Sequence, residues 1–363
     1  MAKTWESPAG DLELARGDGG DRDLQAWDGT DAHLVESLEG TDGPVLVVDD
    51  RFGGLALACA ERCVGVWADH APARVALAAN AARNRRTSPP FVASTSQVPG
   101  AAVVLACLPR GLRRLEWLAA RLAALPEGTR YFFGARSKDV QRSAVAVVEA
   151  ALGPASTGLA KHRSRLISAV RDGRVAPEPS LRTWEVDGLV VRGLPGVFGE
   201  AKLDPGAAAL VPAIAAWDAE TVVDLGCGTG VLGAVAARRN PAATVAFRDA
   251  SFLAVESARR TWEGGGLGPR ATFAAADVLD GVPDRSVDVV LCNPPFHAGR
   301  TITRVVAHRM IRESARVLRP GGRLVLVGNR HLGYHQRLPK HFGAVRLARS
   351  DRRFVVFEAT GPR

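Results

Sequence analysis

The sequence predicts an α/β protein of two tandem units, each a parallel sheet covered by helices. Three observations carry this reading. Apolar runs of strand length alternate with helical stretches, the order of these elements repeats once, and a charged stretch containing Pro and Gly separates the repeats.

In chain order, "PVLVVDD" (44–50), "CVGVWAD" (63–69) and "AAVVLACLP" (101–109) are the strand-like runs of the first half. "TVVDLG" (221–226), "ATVAFRD" (243–249), "VDVVLCN" (287–293) and "RLVLVGN" (323–329) are those of the second. Their nearly continuous apolar content suits strands covered on both faces. Between the halves, "RDGRVAPEPS" (171–180) has the prolines, glycine and charges of an exposed linker. The predicted divisions are an acidic tail over 1–23, a first domain over 24–170, the linker over 171–180 and a second domain over 181–363. The opening segment is read as a mobile polar tail.

The halves match in three places. "VVDDRFGGLAL" aligns with "VVDLGCGTGVLG", "VWADHAPARVALAANAARN" with "AFRDASFLAVESARRTWEG", and "VVLACLPRG" with "VVLCNPPFHAG". This is the pattern of a duplicated Rossmann-type unit. The N-terminal copy has lost its ligand chemistry: Asp50-Arg51-Phe52 replaces a glycine-rich loop and Leu108 replaces an asparagine.

Composition narrows the class. A chain of 363 residues with 47% hydrophobic residues can bury the cores of two domains. The first residues lack an apolar signal core, and no run approaches the length of a membrane span, so a cytoplasmic protein is expected. The five cysteines are scattered and lie mostly in apolar segments, as reduced core thiols do. No second ligand pair at zinc spacing follows Cys59 and Cys63, so no metal is expected. The net charge of +9 is uneven: the first fifty residues hold 13 acids and 3 bases, the remainder 44 bases and 25 acids. Basic clusters at Arg83–Arg86, Arg110–Arg114, Lys161–Arg165 and near the C-terminus fit a polyanionic partner such as RNA.

Two stretches carry chemistry. In "VVDLGCGTGVLGAVAARR" (222–239) a strand reaches Asp224, and Gly226, Gly228 and Gly230 allow a tight turn that brings backbone amides to a ligand at a helix N-terminus. Asp249 ends the next strand about twenty residues on, where a carboxylate can accept from ribose hydroxyls. In "DVVLCNPPFHAG" (288–299) the strand must stop at Asn293, because Pro294 and Pro295 lack amide hydrogens. The Asn293 carboxamide and a prolyl-turn carbonyl are then placed to face a ligand.

The glycine stretch resembles the D-x-G-x-G-x-G loop of class I S-adenosylmethionine-dependent methyltransferases. The resemblance implies that Asp224, Gly226, Cys227, Gly228, Gly230, Asp249 and Asn293 bind the cofactor, with Asp277 assigned to the adenine amino group. It implies that Asn293 and the Pro294 carbonyl accept the hydrogens of a planar amino group on which Phe296 stacks. One departure is Ala250, where relatives tend to carry a second acid after Asp249.

Three further stretches, "GLPGVFGEAKLDPGAAAL" (193–210), "LRPGGRLVLVGNRHLGYHQRLPKHFG" (318–343) and "LQAWDGTDAHLV" (24–35), resemble the tandem-domain ribosomal RNA guanine-N2 methyltransferases, the large-subunit member more than its small-subunit sister. The first is similar to the segment that closes over the methionine end of the cofactor. The resemblance implies methylation of a guanine N2 in 23S rRNA, presented as protein-free or early-assembly RNA, with Arg330 and His331 in the substrate-side loop; the basic cluster of Arg83, Arg85 and Arg86 is also expected on the RNA side. The alternatives are the 16S rRNA enzyme, a protein glutamine methyltransferase and a non-catalytic RNA-binding protein.

Overall fold

The computed structural model describes residues 1–17, 24–295 and 300–363; Phe296 and His297 lie outside them. The chain divides into two units, Met1–Ser180 and Leu181–Arg363.

The first unit contains strands β1 (Lys3–Ser7), β2 (Gly10–Leu14), β3 (Val45–Val48), β4 (Cys63–Ala68), β5 (Phe91–Ala93), β6 (Val103–Cys107), β7 (Arg130–Arg136), β8 (Ala155–Thr157) and β9 (Ser164–Val170). Its helices are α1 (Gly29–Glu36), α2 (Gly54–Ala58), α3 (Pro72–Arg83), α4 (Leu112–Leu122) and α5 (Arg142–Leu152). The second unit contains β10 (Arg182–Val186), β11 (Leu189–Gly193), β12 (Thr221–Leu225), β13 (Thr244–Asp249), β14 (Ala271–Ala275), β15 (Val287–Cys292), β16 (Leu318–Asn329), β17 (Phe342–Ser350) and β18 (Phe354–Pro362). Its helices are α6 (Pro205–Leu210), α7 (Val231–Arg239), α8 (Phe252–Gly264), α9 (Arg300–Val317) and α10 (Tyr334–Arg337).

The main sheets run β5-β4-β3-β6-β7-β9-β8 and β14-β13-β12-β15-β16-β18-β17. In both, only the strand second from the far edge runs antiparallel to its neighbours. The shared order is the duplication read from the sequence. In each sheet the order reverses at the first central strand, so in the second unit a crevice opens beyond the carboxyl ends of β12 and β15, where open α/β sheets bind ligands.

Strand alternation sets what lines that crevice. Val222 packs with Phe247, Trp262 and α7 on one face of the sheet, while Val223 and Leu225 pack with Met310 and Ile311 of α9 on the other.

The opening segment departs from the expected tail. Residues 3–14 form an antiparallel hairpin that buries Trp5, Leu12 and Leu14 against Phe52 and Leu55. Asn80 ties it down, donating to Ala15 O at 2.9 Å while its Oδ1 accepts from Ala15 N at 2.9 Å. Acids alternate here with apolar residues, so a segment acidic in composition is amphipathic at period two. The first unit also extends beyond 170. Arg171 is buried and donates to Ala123 O at 3.0 Å, so the connecting stretch begins later than expected.

Register shows what happened to the ligand end of the first unit. Val48 faces Ala106 as Leu225 faces Cys292. This puts Cys107, rather than Leu108, at the position of Asn293. It also puts Asp49 (φ 56°) at the position of Gly226 (φ 72°), and Gly53 (φ 81°) at that of Gly230 (φ 79°). The buried Arg114 then reaches across the ends of β3 and β4, its Nη2 3.6 Å from Asp49 and 3.9 Å from Asp69. Its guanidinium lies 4.5 Å from the Trp117 ring. The sequence reads Arg114 as part of a basic cluster; in the fold it is buried and bridges the carboxylates at the carboxyl ends of β3 and β4.

Candidate active site

The glycine loop is built by three left-handed glycines. Gly226, Gly228 and Gly230 have φ of 72°, 51° and 79°, which L side chains rarely adopt. Space excludes side chains as well. A Cβ on Gly230 would sit 2.7 Å from Ala258 Cβ, and one on Gly228 would sit 3.1 Å from Phe198 O. A Cβ on Gly226 would be 3.9 Å from Asn293 O, so the loop and the prolyl turn meet here. Gly226 N and Cys227 N donate to Arg248 O at 2.7 and 3.1 Å, which fixes the loop on β13. Asp249 adds a second tie: Oδ2 accepts from Gly228 N at 3.0 Å and Oδ1 from Ser251 N at 2.9 Å.

Asp224 differs from the sequence expectation of a ligand contact. It is fully buried on the α7 face of the sheet, where its Oδ2 accepts from Gly233 N at 2.8 Å. Strand alternation turns it away from the crevice, so it anchors the first turn of α7. Its Oδ1 is buried without a partner among the described residues. Burial is the main reason its pKa is raised to about 8, and the charge of Asp249 adds to the effect.

From about pH 4 to about pH 8 the unfolded chain ionises Asp224 while the folded protein keeps it neutral, so stability falls as pH rises through this window. Asp224→Asn retains an acceptor for Gly233 N and is expected to flatten that slope in thermal unfolding. An unchanged slope would mean that Asp224 ionises normally when folded.

Asn293 follows the last residue of β15. Its Nδ2 donates to Asp204 Oδ2 at 3.1 Å, and its Oδ1 is buried without a partner among the described residues. Asp204 caps α6, the same Oδ2 accepting from Gly206 N at 2.8 Å and Ala207 N at 3.1 Å. The cap thus fixes which way the carboxamide points. Its amino group is held, and its carbonyl oxygen is left for a ligand, because an unsatisfied buried acceptor is costly. Pro294 is buried behind it and Pro295 is exposed.

Asp277 follows β14, and its Oδ2 accepts from Arg309 Nη2 of α9 at 2.6 Å. The next residue, Val278, has φ 56°, an unusual conformation for a β-branched side chain. Sequence reasoning missed both Asp204 and Arg309, whose partners are distant in the chain. Phe198, 57% exposed beside the glycine loop, falls in the segment 193–210 that the resemblance assigns to the methionine end of the cofactor.

The residues expected on the RNA side fall into two groups. Arg83, Arg85, Arg330 and His331 are exposed and Arg86 is half-buried. Arg86 is partly spent on Leu57 O at 2.7 Å, and Arg330 donates from Nε to Asp351 O at 3.0 Å, where it braces the turn between β17 and β18. Among the described residues no group of three or more His, Cys, Asp or Glu could hold a metal, and no helix is long and apolar enough to cross a membrane.

The cradle fits an adenosyl cofactor. Its glycines leave room for backbone approach, Asp249 presents a carboxylate at the loop, and Asn293 Oδ1 awaits a donor. The strand order, this loop and the N-P-P turn define the second unit as a class I methyltransferase domain. Residues 188–358 match the family described as Methyltransferase small domain, and residues 2–173 match the RLMG N-terminal domain. The chain is 36% identical to "Ribosomal RNA large subunit methyltransferase G" of Shewanella amazonensis, with 93% of each chain covered. It is 38% identical to the protein of that name from Streptomyces coelicolor, over 97% of this chain and 99% of the relative.

The chain belongs to this methyltransferase family, and its cofactor is S-adenosylmethionine. Its fold is shared with the T. thermophilus 16S rRNA N2 G1207 methyltransferase, solved with AdoMet and guanosine. That structure has a TM-score of 0.79 at 23% identity and covers 99% of this chain and 98% of that one.

Proposed function

We propose that this enzyme methylates the exocyclic N2 of a guanine in large-subunit ribosomal RNA, taken as protein-free or early-assembly RNA. The observation that carries this reading is the buried carbonyl oxygen of Asn293, held toward the ligand by Asp204.

The cofactor, when bound, supplies an electrophilic sulfonium methyl group. The side-chain-free surface of the loop from Gly226 to Gly230 would let it approach the backbone closely, with Asp249 accepting from the ribose and Asp277 from the adenine amino group. The amino nitrogen of guanine is planar, its lone pair delocalised into the base. Asn293 Oδ1 and the Pro294 carbonyl would accept its two hydrogens and favour a pyramidal nitrogen whose lone pair faces the methyl group. Phe296 would stack on the base. Positioning supplies much of the rate, and the proton leaves after transfer.

Guanine N2, adenine N6 and cytosine N4 would all suit this clamp. The choice of guanine rests on the resemblance of 193–210 and 318–343 to guanine-N2 enzymes, and the choice of large subunit is supported by the names of the relatives at 36% and 38% identity. A base in a stem must be flipped out to reach the clamp, which favours RNA that proteins have not yet locked. The test is to delete the gene, digest both ribosomal RNAs and quantify N2-methylguanine. Its loss from 23S rRNA is expected. Loss from 16S rRNA would move the assignment to the sister activity, and loss of methylglutamine would end the RNA reading.

A further inference from the structure

Each unit closes its sheet with an antiparallel hairpin whose last turn has two central residues, and the two turns are equivalent. Arg136 pairs with Ser164 as Asn329 pairs with Phe354. His162 and Arg163 therefore correspond to Arg352 and Arg353.

In the first unit, Lys161 and Ser164 exchange backbone hydrogen bonds of 2.9 and 2.8 Å. This leaves His162 (φ 51°) and Arg163 (φ 59°) both left-handed. Turns of this geometry favour Asn-Gly, because side chains oppose positive φ. The surroundings enforce the conformation nonetheless. Glu36 binds both Lys161 and His162, and Gly29 lies so close that a Cβ on it would be 2.2 Å from His162 O. Arg163 is exposed and has no carboxylate partner among the described residues.

In the second unit, Asp351 Oδ1 is spent on shaping the turn, accepting from Arg353 N and Phe354 N at 2.7 Å each. Arg352 and Arg353 are exposed. With Arg349 and the α6 residues Pro205 and Ala209 they line a groove of about 590 Å³. Asp204, which caps the N-terminus of α6 beside Pro205, holds Asn293. A phosphate backbone in this groove would lie along the helix whose cap, Asp204, orients Asn293.

We propose that these two turns are phosphate contacts for the RNA strand, one in each unit. The costly His162-Arg163 turn would then be retained because it leaves Arg163 unpaired at its tip, as costly backbone tends to persist where function uses it. The proposal rests on the RNA reading above.

Two variants test it: His162→Asn with Arg163→Gly, which installs the low-energy turn sequence, and Arg352→Ala with Arg353→Ala. Binding to protein-free 23S rRNA is measured from about 50 to about 200 mM KCl, alongside thermal unfolding and S-adenosylhomocysteine affinity. The first variant should unfold at a higher temperature yet bind RNA more weakly, with a salt slope shallower by about one. The second should also weaken RNA binding and flatten the slope, with cofactor affinity unchanged. If the wild type methylates 23S rRNA and both variants keep its affinity and slope, the turns are solvated surface and the proposal fails alone. If the wild type methylates no RNA, the proposal falls together with the reading beneath it.

Discussion

Asn293→Ala is expected to lower the single-turnover rate of methyl transfer about a hundredfold, the scale of losing correct alignment at a reacting centre. S-adenosylhomocysteine affinity should stay nearly intact. The expectation follows from the unpaired Oδ1, which has no folding role to lose. Asp204→Ala should share part of the defect, because it frees the carboxamide to turn its amino group toward the acceptor, and it also removes the cap of α6. Rapid-quench measurement with saturating cofactor separates the rate from binding. A wild-type rate for Asn293→Ala would remove the amino-group clamp from the reaction.

Asp249→Ala should act on the other half of the reaction, weakening cofactor binding by about 1 to 3 kcal/mol through the lost ribose acceptor. The loop is loosened as well, since Gly228 N and Ser251 N both lose their partner. Ala250 supplies no neighbouring acid to substitute. Calorimetric titration with S-adenosylhomocysteine gives the affinity directly. Unchanged affinity would place the ribose elsewhere in the crevice.

The parts of the site legible in the sequence are those that backbone chemistry dictates. Three glycines in alternation mark a loop of positive φ, and paired prolines stop a strand at Asn293. The duplication was legible for a similar reason, since strand runs ending in equivalent turns keep their order whatever the side chains become.

Side-chain partnerships over long separations were not legible. Asp204 meets Asn293 across 89 residues. Arg114 sits in a basic run whose composition suggests solvent, and only the fold brings Asp49 and Asp69 to it. The hairpin of β1 and β2 was hidden by counting acids over a window, because Trp5, Leu12 and Leu14 carry their information in alternation.

Arg114 has a thermodynamic consequence. At the end of its sheet the first unit holds a covalent, permanent occupant, whereas the second holds a dissociable one. By mass action, a ligand that binds only the folded form adds about 2.7 kcal/mol of stability at a hundred times its dissociation constant. The second unit therefore gains or loses stability with the cellular supply of its cofactor and product. The end of the first sheet, where Arg114 is bound to Asp49 and Asp69 by the chain itself, draws no such ligand stabilisation from that supply.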